Sequence, residues 1–130
     1  MCIFCEIIKG NIPSKKVYED ENVVAILDIS QATKGHTLVL PKKHYANVLE
    51  IEYPEYEAVM IAVKKVCEKI NVIYKPEGFN ILNNCGEVAG QTVNHFHVHI
   101  LPRYKDDDLK IEFTDHSKTC NLDEVASDLE

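Results

Sequence analysis

The sequence predicts an α+β domain, and three observations predict it. Residues 95 to 101, His-Phe-His-Val-His-Ile-Leu, alternate histidine with large apolar side chains, the period of two by which a β-strand sends neighbours to opposite faces. Tyr56, Val59, Met60, Val63, Val66, Cys67 and Ile70 recur at the three-and-four spacing of a single helical stripe. Short runs rich in Val, Ile and Leu, separated by polar turns, mark antiparallel strands around them. The expectation is a meander of about five antiparallel strands with one long helix packed on one side and short helices at the N- and C-terminal ends.

Taken in order, Cys2 to Lys9 has apolar residues at 3, 4, 7 and 8, a helical spacing that Gly10 caps, with Pro13 beyond. Lys16 to Tyr18 and Val23 to Leu27 flank the polar Glu19-Asp20-Glu21-Asn22 and read as a hairpin. Thr37 to Pro41 is a third strand. The long helix runs from Pro54 to about Tyr74, with Pro54 at its first position and Glu55 and Glu57 at the positive end of its dipole. Lys75-Pro76-Glu77-Gly78 is a turn, and Phe79 to Asn83 a strand that continues toward Asn84-Cys85-Gly86. A loop through Gly90-Gln91-Thr92 leads to the histidine strand, which Pro102, lacking an N–H, should end. Leu109 to Thr114 reads as a further short strand, and Asn121-Leu122-Asp123-Glu124 as a capping box opening a last helix to Leu129.

At 130 residues the chain is long enough for one domain and one core. Its net charge of −7 argues against a groove for the nucleic-acid backbone, which needs a basic field. No run of apolar residues reaches the ~18 of a membrane span, and the N-terminus lacks the basic start of a signal peptide, so a cytoplasmic location is expected. Five cysteines are an odd number in an otherwise ordinary composition and favour reduced thiols or metal ligation over a disulfide framework. Cys67 lies on the helical stripe and is most simply core; Cys85 has no role legible in the sequence.

On the histidine strand, Phe96, Val98 and Ile100 face a core, while His95, His97 and His99 share the other face at a spacing of about 6.5 to 7 Å. Each could be a hydrogen-bonded structural histidine. Three in strict alternation also suit a metal site or acid–base and nucleophilic chemistry, since neutral imidazole is the commonest metal ligand and titrates near neutrality. Cys2-x-x-Cys5 is a metal-clip spacing that needs two further ligands, and His44 and His95 are the candidates to complete a closed Cys₂His₂ tetrahedral site for structural zinc. Two small buried residues or a redox pair would explain the cysteines equally well.

His95-Phe96-His97-Val98-His99-Ile100-Leu101 resembles the signature of the histidine triad (HIT) superfamily of nucleotidyl hydrolases and transferases. Gly90-Gln91-Thr92-Val93, Asp28-Ile29-Ser30 and Gly35-His36-Thr37-Leu38-Val39-Leu40-Pro41-Lys42-Lys43-His44 match the family's order and spacing as well. The likeness covers the chain to about Arg103, giving a domain core over residues 2–104 and a variable segment over 105–130.

The resemblance implies a homodimer and a purine nucleotide substrate. It implies that Asp28 accepts hydrogen bonds from ribose hydroxyls, that Ile3, Phe4, Ile7, Ile26, Ile29 and Leu38 form the slot for the base, and that His36 lies behind the triad and orients it. Plain core packing for those apolar residues, and turn roles for Asp28 and His36, fit the sequence too. In the mechanism it implies, His97 attacks the α-phosphorus and forms a nucleotidyl-histidine that water cleaves. Its far nitrogen must donate to an acceptor such as a backbone carbonyl to fix the tautomer. His99 and Asn84 would stabilise phosphoryl oxygens, Thr92 would serve the leaving group, and Gln91 would lie along bridging phosphates of a longer substrate. No catalytic metal is required.

Within that mechanism an adenosine 5'-monophosphoramidase-like activity competes with dinucleoside polyphosphate hydrolysis. A zinc-stabilised nucleotide-binding or protein-interaction module with negligible turnover is the alternative of a different class, against which the intact triad and Thr92 count.

Overall fold

The computed structural model describes residues 1–130. Its elements are α1 (Ile3–Ile8), β1 (Lys16–Glu19), β2 (Val23–Leu27), β3 (Thr37–Pro41), α2 (Tyr53–Tyr74), β4 (Gly78–Leu82), β5 (Val98–Arg103) and α3 (Leu122–Asp128). The five strands form one sheet in the order β1-β2-β3-β5-β4, antiparallel throughout. The expected α+β architecture is present. The first three strands are a meander; α2 then carries the chain across the sheet to its far edge, so that β4 is outermost and β5 returns between β4 and β3.

Alternation along the strands sorts the core into two layers. Val23, Ala25, Val39, Phe96, Val98 and Ile100 meet Val59, Ala62, Val63, Val66 and Ile70 of α2 in one cluster. Val24, Ile26, Leu38 and Leu40, one residue out of phase, meet Phe4 and Ile7 of α1 on the other face. The sheet is therefore buried on both sides, which is why β2 and β3 read as continuous apolar runs rather than as alternating ones. The helix ends obey the local chemistry the sequence announced: Pro54 sits in the first turn of α2, and the side chain of Asn121 accepts the N–H of Glu124 at the start of α3.

Three expectations are corrected. Pro102 does not end the pairing, because it lies within β5 opposite Phe79; β3 pairs with β5 only as far as Ile100, so the side of Pro102 that has no N–H to give faces no strand. The paired strand begins only at Val98. Upstream of it the chain bends at residues 93–95 and is held by other supports: the N–H of Phe96 donates to the Tyr45 carbonyl at 2.7 Å, and the Asn83 side chain to the His97 carbonyl at 2.8 Å. Leu109 to Thr114 forms no strand. Residues 110 to 114 are all exposed, and an alternating segment with no face to bury gains nothing from pairing. No helix is long and apolar enough to cross a membrane.

Candidate active site and metal cluster

The period of two persists through 95 to 99, so His95, His97 and His99 all face α1, while Phe96, Val98 and Ile100 face α2. The edge of the Phe4 ring stands against His95 and His97, with centroids 6.0 and 5.1 Å away, and the His97 and His99 rings lie 5.0 Å apart. His95 and His97 are buried and His99 is half-buried.

Hydrogen-bond partners assign the ring protons. A carbonyl oxygen can only accept, so His97 Nδ1, 2.7 Å from the His95 carbonyl, carries the proton and leaves Nε2 with a free lone pair. Burial, opposed by that carbonyl and by the charge of Asp28, pushes the His97 pKa down. Burial, with the neighbouring His97 and His36 charges, lowers His99 to about 4. Both rings are thus neutral near pH 7, as a nucleophile and a neutral donor require.

Around these rings lies a cleft of about 400 Å³. All seven residues expected to hold a nucleoside line it: Ile3, Phe4, Ile7, Ile26, Asp28, Ile29 and Leu38. Thr92, His97 and His99 line it too, so apolar slot, carboxylate, hydroxyl and two imidazoles converge on one space. Ile12, Pro13, Ser14, Leu27 and Val93 complete the wall. Sequence reasoning missed these five; Pro13 and its neighbours follow the α1 cap, a turn signal that says nothing of a ligand. Asp28 Oδ1 accepts the Ser30 N–H at 2.8 Å, and Oδ2 lies 3.5 Å from His36 Nε2, so one oxygen serves the turn while the other faces the histidine. His36 is buried behind the triad, with Nε2 2.9 Å from His99 Nδ1.

Two expected site residues stand elsewhere. Gln91 is buried, and its amide is consumed inside the protein: Oε1 accepts the Gly86 N–H at 2.8 Å, and Nε2 donates to the carbonyls of Ala46 and Val93 at 2.7 and 3.0 Å. Its amide is fully engaged within the protein and ties the 86–93 loop to the segment after β3. Asn84 is not in the cleft wall either, and its Nδ2 approaches the Gly90 carbonyl at 3.4 Å. That contact is long for an N–H···O bond.

The second constellation is Cys2, Cys5, His44 and His95, whose ligand atoms all lie within 4.8 Å of one another. His44 and His95 Nδ1 are 3.2 Å apart, Cys5 Sγ is 3.3 Å from His44 Nδ1, and the sulfurs of Cys2 and Cys5 are 3.5 and 3.6 Å from His95 Nδ1. Metal–nitrogen bonds of about 2.0–2.1 Å and metal–sulfur bonds of about 2.3 Å in a tetrahedron imply edges of about 3.3–3.8 Å, so the donor set fits a four-coordinate metal. The supports fit as well. His95 Nε2 donates to the Pro41 carbonyl at 2.8 Å, which bares Nδ1, and the Cys5 N–H points at Cys2 Sγ at 3.4 Å, where Cys2 caps α1. Burial and the nearby Cys2 push the Cys5 thiol pKa up; a bound cation would reverse that sign.

Comparison with known proteins places this geometry in a family. The HIT domain family matches residues 9–106. An uncharacterized HIT-like protein of Methanocaldococcus jannaschii is 50% identical over 129 residues, 99% of this chain and 98% of its own. An adenosine 5'-monophosphoramidase of Schizosaccharomyces pombe is 43% identical over 102 residues, 78% of this chain and 74% of its own. An adenylylsulfatase of Arabidopsis thaliana is 39% identical over 135 aligned positions, 98% of this chain and 65% of its own. Among solved structures, a HIT family protein from Bacillus anthracis superposes with a TM-score of 0.93 at 45% identity, covering 98% of this chain and 94% of that one. A Zn-bound histidine triad family protein from Mycobacterium smegmatis gives 0.80 at 34% identity, covering 91% and 86%. The chain belongs to the HIT family. Two of these relatives, the phosphoramidase and the adenylylsulfatase, are named as hydrolases of nucleotides, which supports nucleotide hydrolase activity here.

Proposed function

We propose that the protein cleaves the bond between the α-phosphorus of a purine nucleoside monophosphate and a small leaving group, in two displacements at His97. The observation that carries this reading is the His97 Nδ1–H bond to the His95 carbonyl, which aims a neutral ring's one lone pair away from the backbone in a residue of the cleft wall. In the first displacement Nε2 forms a bond to phosphorus, and the leaving group departs with the electron pair of its own bond and a proton delivered from the Thr92 side. The modified ring keeps its Nδ1 proton and is cationic. The His95 carbonyl stabilises that charge. In the second displacement water adds to phosphorus and gives up a proton that restores the one lost from the Thr92 side, the P–N bond breaks with its electron pair returning to neutral imidazole, and nucleoside monophosphate is released. The free N–H of His99 faces the developing phosphoryl charge, joined by Asn84 once its loop contact opens.

A small leaving group is favoured over a second nucleotide because Gln91, the side chain suited to bridging phosphates, is spent inside the fold. The phosphoramidase and adenylylsulfatase names of two relatives share an adenylyl group and differ in what leaves. Initial rates with adenosine phosphoramidate and with diadenosine polyphosphates, measured side by side, test the choice. Faster turnover of the phosphoramidate is expected, and the reverse order would overturn it. In the same assays Asp28→Asn, which keeps the Ser30 turn contact, should weaken adenosine monophosphate binding by about 1–3 kcal/mol through loss of charge-assisted bonds to ribose. Unchanged affinity by calorimetry would leave Asp28 a turn residue only.

Zinc at Cys2, Cys5, His44 and His95 is the metal the donor set suits best, as two thiolates with two imidazoles in a closed tetrahedron. It would be structural, bracing α1 and the segment after β3 against the triad, and no step of the chemistry runs through it. The family likeness and the exposed Ile81 and Leu82 on the outermost strand β4 support a homodimer that adjoins there, to be checked by sedimentation velocity.

A further inference from the structure

The turn from Asp28 to His36 joins β2 to β3 and carries both the carboxylate of the cleft and the histidine behind it. Gln31, an exposed residue in this turn, directs its amide back into it. Its Nε2 donates to the carbonyls of Asp28 at 2.5 Å and His36 at 2.8 Å, and its Oε1 accepts the Gly35 N–H at 2.8 Å. The amide thus bridges the two ends of the turn, and it sits one residue before a further contact, the Ala32 N–H to His36 Nδ1 at 3.2 Å.

That last bond decides a proton. A backbone N–H can only donate, so His36 Nδ1 is bare and the neutral ring holds its proton on Nε2. His36 Nε2–H then donates to His99 Nδ1 at 2.9 Å, which places the His99 proton on its Nε2, the nitrogen left free in a residue of the cleft wall. Were Ala32 to swing away, only the more distant Asp28 Oδ2, 3.5 Å from Nε2, would still favour a proton there, so the Nδ1–H form of His36 would become populated, and the matching form of His99 with it. A His99 ring that presents a lone pair would repel phosphoryl oxygens rather than stabilise them.

We infer that Gln31 is a positioning residue of the site: by clamping the 28–36 turn it keeps the Ala32 N–H on His36 and, through His36, holds His99 in the Nε2–H tautomer. The catalytic consequence rests on the nucleotidyl transfer proposed above; the tautomer itself does not. The test uses the full metal-loaded chain, wild type, Gln31→Met of similar length without the amide, and Gln31→Glu, which keeps an acceptor for Gly35 and loses both donors.

Long-range proton–nitrogen spectra of the histidine rings read the tautomers directly. His99 should be a single Nε2–H form in wild type and a mixture in both variants, with kcat for adenosine phosphoramidate falling about tenfold and KM changing less. An unchanged His99 tautomer in the variants overturns the proposal, whatever the rates do. Loss of the fold in both variants would also count against it, since an exposed side chain whose task is local positioning does not hold the domain together. If the tautomers shift as expected while wild type turns over no nucleotide, the clamp stands and the proposed reaction falls.

Discussion

Replacing His97 by alanine is expected to lower turnover by about 10³-fold or more while affinity for adenosine monophosphate stays close to wild type. The two effects separate because the binding surfaces are elsewhere. The cleft wall proposed to hold the base is built by α1, β2 and β3, and it includes the carboxylate of Asp28. Neither of the other two triad imidazoles offers a substitute nucleophile. His95 Nδ1 points into the cysteine cluster, and His99 Nδ1 is taken by His36. A phosphoramidate bond to imidazole survives base and is lost in acid, so alkaline quenching during turnover should trap one nucleoside monophosphate per chain on His97 in wild type and nothing in His97→Ala. Near-wild-type rates in the variant, or an adduct mapped to a different residue, would sink the covalent mechanism and favour the binding module.

Cys5→Ser should strip the metal and cost several kcal/mol of stability, read as zinc per chain falling from about one to near zero and a melting temperature lower by about 10 °C or more. The reason is the poverty of the other restraints on α1. It has six residues, too few to be stable alone, and buries only Phe4 and Ile7. A serine hydroxyl is a poor replacement for thiolate at a metal of this kind. Freed of the clip, α1 would leave the wall formed by Ile3, Phe4 and Ile7, so nucleotide affinity should fall together with the melting temperature. Native protein that is metal-free by elemental analysis, and melts no lower once Cys5 is replaced, would remove the metal from this account.

What the sequence determined by itself was whatever repeats with a local period or depends on residue type. The alternation over 95 to 100 set which side chains face α2 and which face α1, and it held even where strand pairing did not. The stripe on α2, the proline in its first turn and the asparagine cap of α3 were legible for the same reason: each is a contact between residues a few positions apart.

Tertiary structure alone decided the matters that turn on which distant backbone group a polar side chain meets. Gln91 and Thr92 are neighbours in a glycine-bearing loop, and nothing in their order says that one side chain turns inward to Ala46 while the adjacent residue lines the cleft. The proton on His97 follows from a carbonyl two residues away, but that of His99 passes through His36, held in turn by Ala32 and Gln31, 68 residues earlier than His99. Pro102 belongs with these cases. Its missing N–H is a fact of sequence, and whether that matters depends on which strand lies alongside, a choice made by the long-range order β3-β5-β4 that no short-range pattern encodes.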